Sequence, residues 1–98
     1  MSQKQTDELH KSLVEKNGQV WTLMKLRSEC HELTDAINDY LNRPITFNYG
    51  KVVEECADVK VLIDRLCFYG DHMSKKELEK IGIEKMKRAL QRLENENT

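Results

Sequence analysis

Two pairs of acidic residues in this 98-residue chain have side chains and spacing suited to binding cations. Glu29 and Glu32 form the first pair, and Glu55 and Asp58 form the second. Residues three positions apart lie on one face of an α-helix, so each pair presents both carboxylates on the same side. Hard oxygen ligands of this kind favour Mg²⁺ or Mn²⁺ over zinc. The spacing therefore suggests a metal site built from two helices.

The two pairs belong to a partial internal repeat. Residues 25–33 and 51–59 match at lysine, acidic, cysteine, acidic and apolar positions. At about 100° per residue, Glu29 falls about 40° from Leu33, at the edge of an apolar stripe. That stripe comprises Leu26, Cys30, Leu33, Ile37 and Tyr40, and its counterpart comprises Val52, Cys56, Val59, Ile63 and Leu66. Packing the stripes together would bring the four carboxylates face to face at the margin of the core.

Carboxylates crowded in this way repel one another, and either raised pKa values or bound cations relieve the repulsion. A cluster of four can hold more than one divalent ion and leave positions for phosphate oxygens and a water molecule. The alternative is a plain solvated surface, which is the usual role of acidic pairs at helical spacing. Lys25 and Lys51 each precede their acidic pair by one helical turn, and we expect them to offset the carboxylates.

The elements that carry these residues are predicted to be helices. Apolar residues recur every three or four positions and no strand-like alternation competes, so we expect an all-α fold. A first helix over about residues 3–16 is stopped by Asn17 and Gly18. A second helix over about residues 19–42 ends before Pro44, because the residue preceding proline is disfavoured in the helical region.

Two further helices complete the predicted bundle. The third follows Asn48-Tyr-Gly50 and continues to about Tyr69, with Gly70 as its stop. The fourth begins at Ser74, where Ser-Lys-Lys-Glu77 has the pattern of a capping box, and runs towards Glu94. The third helix also has a second apolar side, formed by Val53, Ala57, Val61 and Phe68. A helix that is apolar on two sides must be buried on both, so we expect self-association.

Composition narrows the classes of partner. The formal net charge of −1 gives no electrostatic reason to expect nucleic acid or an anionic membrane. No apolar stretch approaches the roughly 20 residues that cross a bilayer. The polar N-terminal segment lacks the apolar core of a signal peptide. Three cysteines without metal-type spacing suit reduced, buried thiols, so we expect a cytoplasmic protein.

The acidic motifs resemble those of a known family. Leu26-Arg-Ser-Glu29-Cys-His-Glu32-Leu33 and Glu54-Glu55-Cys-Ala-Asp58-Val59 are similar to the E-x-x-E and E-x-x-D motifs of the MazG-like all-α NTP pyrophosphatases, a superfamily that includes dimeric dUTPases. Asn17-Gly18 and Ile83-Glu-Lys-Met86 resemble further landmarks, so that the resemblance covers about residues 18–93. It implies a single MazG-like nucleotide pyrophosphohydrolase domain over residues 1–98. The implied fold is a four-helix bundle assembled as a homodimer or homotetramer.

The resemblance also implies a reaction. Glu29, Glu32, Glu55 and Asp58 would hold Mg²⁺, with Mn²⁺ as a substitute. The substrate would be a ribo- or deoxynucleoside triphosphate, cleaved to the monophosphate and pyrophosphate. Either Glu29 or Glu32 would act as the base that deprotonates the attacking water.

Basic residues of the fourth helix are the expected substrate ligands. Lys85 and Arg92 match basic positions of the family and would bind the triphosphate, although a solvated stripe is the alternative. Ser28 and Ala89 depart from the family, which often has glutamate and asparagine at these positions. These departures keep open a second interpretation, a catalytically inactive MazG-like module that binds nucleotide or a protein. Trp21 is either an oligomer contact or a platform for base stacking.

Overall fold

The computed structural model describes residues 1–69 and 73–96. Within these ranges the chain is all-α, which confirms the predicted class. The elements are α1 (Gln3–Asn17), α2 (Gln19–Asn42), α3 (Thr46–Leu66), a short 3-10 turn (Cys67–Tyr69) and α4 (Lys75–Glu96). The predicted stop at Gly70 lies outside the described residues. None of the helices in the described ranges combines the length and apolar content needed to cross a bilayer.

The break between α1 and α2 lies where the sequence predicts it. Gly18 has a φ of +81°, a conformation that residues with a side chain rarely adopt. Its amide donates to the carbonyl of Val14 and so ends α1, while its own carbonyl accepts from the amide of Thr22 and so begins α2. The glycine thus turns the chain without an intervening loop.

The third helix begins earlier than predicted. α3 starts at Thr46, so Gly50 lies inside the helix rather than before it. The side-chain amide of Asn48 donates over 2.9 Å to the carbonyl of Arg43. Asn48 therefore closes the turn around Pro44 from within the first helical turn, and Asn48-Tyr-Gly50 does not form a break. The start of α4 is as predicted, since the Ser74 hydroxyl accepts from the amide of Glu77 at 3.1 Å.

α2 and α3 form an antiparallel pair that carries most of the packing. Along each helix, the side chains withdrawn from solvent alternate at spacings of three and four residues, the pattern of helices packed along a shared seam. From Thr22 to Tyr40 these positions in α2 are Thr22, Leu26, Glu29, Leu33, Ala36 and Tyr40. The α3 seam includes Val52, Glu55, Val59, Leu62 and Leu66.

The packed faces are turned by about one residue from the predicted stripes. In α2 the prediction placed Cys30 in the core and Glu29 at its margin, but Glu29 is buried and Cys30 is exposed. In α3, likewise, Glu55 is half-buried and Cys56 is exposed. The predicted buried thiols are therefore wrong at these two positions, and Cys67 is half-buried. A stripe through Cys30 and a stripe through Glu29 both have the same three-and-four spacing, so helical periodicity alone did not distinguish them.

A hydrogen bond joins the open end of this helix pair. The fully buried hydroxyl of Thr22 donates over 2.9 Å to the carbonyl of Gly18 and lies 3.0 Å from the hydroxyl of Tyr69. The Pro44 turn joins the opposite end. The two helices are thus connected at both ends, and the acidic residues lie between these two connections.

α4 stands apart from the other three helices. It makes only marginal contact with the rest of the described chain, and none of its residues is buried. The radius of gyration is 16.9 Å, against about 13 Å for a compact domain of this length. The accessible surface is 7961 Å², against about 5,800 Å² for a compact monomer of this mass. A single protomer therefore packs α1, α2 and α3 but leaves the fourth helix of the predicted bundle outside.

Candidate functional site

Three of the four predicted metal ligands meet at the α2–α3 seam. Glu29, Glu32 and Glu55 each offer a carboxylate oxygen, and these oxygens lie within 4.8 Å of one another. Oxygens bound to one Mg²⁺ at about 2.1 Å are about 3–4 Å apart, so small side-chain movements would complete a site. Asp58 stands beside this group: it lines a cleft together with Glu29, and its charge adds to the effect of burial in raising the pKa of Glu55.

The seam explains why these side chains converge. Glu29 and Glu55 occupy packed positions on facing helices, where apolar residues would ordinarily lie. Glu32 and Asp58 follow one turn later on the exposed edge of the same helices. Each helix thus contributes one carboxylate from inside the contact and one from its rim.

The inner carboxylates are only partly satisfied. Glu29 is 6% exposed, and its Oε1 lies 3.1 Å from the ammonium of Lys25. The Oε2 atoms of Glu29 and Glu55 are buried and have no hydrogen-bond partner among the described residues. A buried carboxylate oxygen without a partner is costly, and a cation is the ligand that would remove this cost.

The electrostatics divide the cluster into two kinds of acid. The hydrogen bond from Lys25 is the main reason that the pKa of Glu29 lies below its usual value. The hydrogen bond and charge of Glu29 in turn raise the pKa of Glu32. Burial, followed by the charge of Asp58, raises the pKa of Glu55. Glu29 is therefore the member that ionises most readily, while Glu32 and Glu55 give up their protons less readily, and a divalent cation would favour the ionised form of all three.

The two lysines before the acidic pairs behave differently. Lys25 offsets the charge of Glu29, as the sequence predicts. Lys51 does not pair with the second acidic pair; its ammonium lies over the ring of Phe47, 5.3 Å from the centroid. This contact is a cation–π interaction at the surface, so α3 supplies its carboxylates without a lysine partner of its own.

A cleft of about 230 Å³ opens beside the cluster, between α2 and α3. Glu29 and Asp58 line one end, and Trp21 and Arg65 line it farther along the two helices. These two residues lie two helical turns from the acids, or about 11 Å at 1.5 Å per residue. Trp21 was considered from the sequence, but Arg65 was missed. The signal for Arg65 was its place two turns after Asp58, on the same face of α3.

The predicted phosphate ligands do not join the cluster in one protomer. Lys85 and Arg92 are exposed on α4, which makes only marginal contact with α2 and α3. The charges that most affect the pKa values of the clustered glutamates come from Lys25, Asp58 and the glutamates themselves. The two basic residues therefore need either a movement of α4 or a second chain to reach the carboxylates.

The arrangement could hold a divalent cation beside an open cleft. Converging carboxylates can hold a divalent cation, an acid of raised pKa can exchange a proton, and the neighbouring cleft can accept an elongated molecule. Comparison of the chain with protein-family models, with curated proteins and with solved structures finds no match.

Proposed function

We propose that the chain is a Mg²⁺-dependent nucleoside triphosphate pyrophosphohydrolase of the MazG-like type. The observation that supports this most is the convergence of Glu29, Glu32 and Glu55 across the seam, with two buried oxygens that lack a partner in the described chain. A purely structural role explains this layer poorly, because apolar side chains at the same positions would stabilise the helix pair better.

The proposed reaction assigns different roles to the acids. Glu29, Glu32, Glu55 and Asp58 would hold Mg²⁺, which when bound supplies positive charge to the phosphate oxygens and activates a water. Of the two predicted bases, Glu32 is better suited than Glu29, because its side chain is exposed whereas that of Glu29 is buried and paired with Lys25. Glu32 accepts a proton from a water whose oxygen bonds to the α-phosphorus. The bond from that phosphorus to the bridging oxygen breaks, and pyrophosphate leaves.

We also propose that the working form is a homodimer or homotetramer. One side of α4 carries an exposed apolar stripe at seam-like spacing, formed by Ile83, Met86, Leu90 and Leu93. The second apolar side of α3 is likewise exposed at Val53 and Val61. The protomer exposes about 2,000 Å² more than a compact monomer of its mass, which is the scale of a stable interface.

The predicted phosphate ligands lie on another side of α4 from this stripe. At about 100° per residue, Lys85 and Arg92 are about 120° and 140° from the centre of the stripe. A second copy would bring both cations towards the carboxylates through that other side of its α4. Charge complementarity between these basic residues and the acidic cluster favours this pairing.

The test is a product assay on purified chain. A panel of ribo- and deoxynucleoside triphosphates is incubated with Mg²⁺, and nucleoside monophosphate and pyrophosphate are measured together. The proposal expects equal amounts of both products, loss of activity with a chelator, and loss in Glu32→Gln. Glu54→Gln, which changes an exposed neighbouring acid, is the matched control and should retain activity. Release of orthophosphate alone would contradict the proposed cleavage, and binding without turnover would favour the inactive module.

A further inference from the structure

The cleft extends from the acids to Trp21 of α2 and Arg65 of α3. α2 and α3 run antiparallel, and Glu29 and Asp58 share the acidic end of the cleft. Trp21 lies about two turns back along α2 from Glu29, and Arg65 lies about two turns forward along α3 from Asp58. Both line the same cleft, about 11 Å along their helices from the acids.

Arg65 is a cation without a counter-ion among the described residues. It is half-buried, and its Nε is buried with no hydrogen-bond partner in the part of the chain that the structure describes. The ion pairs of that part are Lys25–Glu29 and Lys60–Asp64, and neither involves Arg65. A guanidinium remains charged at all ordinary pH values and carries only donors. Arg65 thus offers the cleft a fixed donor group with unused capacity.

Trp21 supplies an aromatic surface on the other side. It is 46% exposed, and the ring pairs of the described residues are His10–Phe68 and Tyr40–Tyr49, neither of which includes it. An aromatic face in a cleft stacks well on a nucleobase, whatever the base. The donor of Arg65 would then supply the selectivity that stacking lacks.

Building on the proposed function, we propose that Trp21 and Arg65 form the nucleobase subsite of this cleft. With phosphates at the acidic end, a base two turns away would stack on Trp21 and accept a hydrogen bond from Arg65. Because arginine only donates, the subsite would favour bases with a carbonyl at the contacted edge, namely guanine, uracil and thymine. It would disfavour adenine and cytosine, which present an amino group there.

The test measures binding without hydrolysis. Trp21 is the only tryptophan of the chain, so its fluorescence reports occupancy of the subsite directly. GMP, UMP, AMP and CMP are titrated in metal-free buffer containing a chelator. The proposal expects quenching by GMP and UMP at about tenfold lower concentrations than by AMP and CMP, the discrimination that one good base contact provides. Absence of pyrophosphate release would overturn the proposed function but leave this result standing.

Variants separate Arg65 from the rest of the cleft. Arg65→Met should remove the preference between bases, and Arg65→Lys should weaken it while retaining the charge. Arg27→Met, at an exposed position of α2, is the matched control and should behave as the wild type. Circular dichroism verifies folding of each variant. If Arg65→Met does not fold, the base preference of Arg65→Lys is compared with that of the wild type instead.

Three outcomes would overturn the subsite. The first is equal quenching by all four nucleotides. The second is a loss of binding affinity in Arg65→Met by the same factor for every nucleotide and for inorganic pyrophosphate. That result would make Arg65 a phosphate ligand instead. The third is the absence of quenching by any nucleotide in a folded wild-type protein.

Discussion

The ammonium of Lys25 lies 3.1 Å from Oε1 of Glu29, one turn further along α2, and the second oxygen of Glu29 remains buried without a partner in the described chain. Lys25 thereby holds an ionised carboxylate in a packed position that would otherwise favour an apolar residue. The same contact keeps the pKa of Glu29 low. The cluster thus contains one readily ionised carboxylate, which Lys25 holds in position.

Removing one acid should affect stability and activity in opposite directions. Without metal, Glu55→Gln should leave the fold as stable as the wild type or more stable, because it removes like-charge repulsion and preserves volume. With Mg²⁺, the same change should weaken metal binding and reduce turnover by orders of magnitude. Mg²⁺ should raise the Tm of the wild type and raise that of the variant much less.

The measurement is a set of melting curves with and without Mg²⁺, together with pyrophosphate release. Glu54→Gln is the control, since Glu54 is the adjacent residue of α3 and is exposed. It should respond to Mg²⁺ as the wild type does. Equal stabilisation of all three proteins by Mg²⁺ would remove Glu55 from the metal site.

Arg92 is expected to contribute to substrate affinity rather than to folding. Arg92→Ala should raise KM by about tenfold or more, the effect of losing one charge-assisted phosphate contact. Its Tm should stay close to that of the wild type, because the side chain is exposed on α4. Steady-state kinetics with Lys87→Ala, on a different face of α4, provide the comparison. A KM unchanged by Arg92→Ala would assign Arg92 to plain solvated surface.

The oligomeric state should depend on the apolar stripe of α4. Light scattering of the wild type at micromolar concentration should give a mass at least twice 11.5 kDa. Met86→Glu places a charge in the centre of that stripe and should shift the protein towards the monomer. Lys87→Glu introduces the same side chain beside the stripe and should leave the mass unchanged. A wild-type mass of 11.5 kDa would contradict the proposed assembly.

His10 makes stability depend on pH. The side chain is 8% exposed, stacks on Phe68 with ring centroids 5.1 Å apart, and has no partner for Nδ1 among the described residues. Burial is the main cause that lowers the pKa of His10, and the charges of Arg65 and Lys75 lower it further. The charges of Asp64 and Asp7 act in the opposite direction.

The sign of the dependence follows from that shift. The folded state binds the proton less readily than the unfolded state, so the contribution of His10 to stability is present above the ordinary pKa of about 6.5. It is lost as the pH falls through the lower pKa of the folded state. In metal-free melts, the Tm of the wild type should fall further between pH 7 and pH 5 than the Tm of His10→Phe. The phenylalanine of this variant preserves the stacking. His31→Gln, at an exposed position, is the control, and parallel curves for all three would refute the role of His10.

The sequence predicted the helices well because their ends are determined locally. Gly18 and Ser74 act through backbone conformation and capping, which neighbouring residues suffice to specify. Asn48 misled the prediction because its side chain bonds backwards across the Pro44 turn, to a residue outside the helix. Such a bond cannot be inferred from the composition of the segment.

The rotation of the helices was harder to predict. Leu26, Leu33 and Tyr40 belong to both the predicted stripe of α2 and its packed face. The other positions of the packed face could be filled either by Cys30 and Ile37 or by Glu29 and Ala36. Hydropathy favours the first pair. The structure has the second pair, which puts an acid at the centre of the contact. A helical period defines the packed face only to within about one residue, and here that one residue decides whether the acid is at the rim or inside.

Arg65 and the position of α4 depend on tertiary structure. Arg65 becomes a cleft residue only through the antiparallel packing of α2 and α3, which places it in one cleft with Trp21. The apolar stripe of α4 is as regular as that of a packed helix, yet it lies outside the core of this protomer. Amphipathicity reveals that a surface needs covering but not which chain covers it.

The hydrogen bond between Thr22 and Tyr69 has a consequence for the order of folding. These residues are separated by 47 positions, whereas the Pro44 turn joins α2 and α3 over a very short connection. Closing a short loop costs less entropy than closing a long one, so we expect the helix pair to form from the Pro44 end towards Thr22 and Tyr69. The acidic layer lies midway along this path, where repulsion between carboxylates would oppose further pairing. We therefore expect the layer to slow folding, and a divalent cation bound there to accelerate folding as well as slow unfolding.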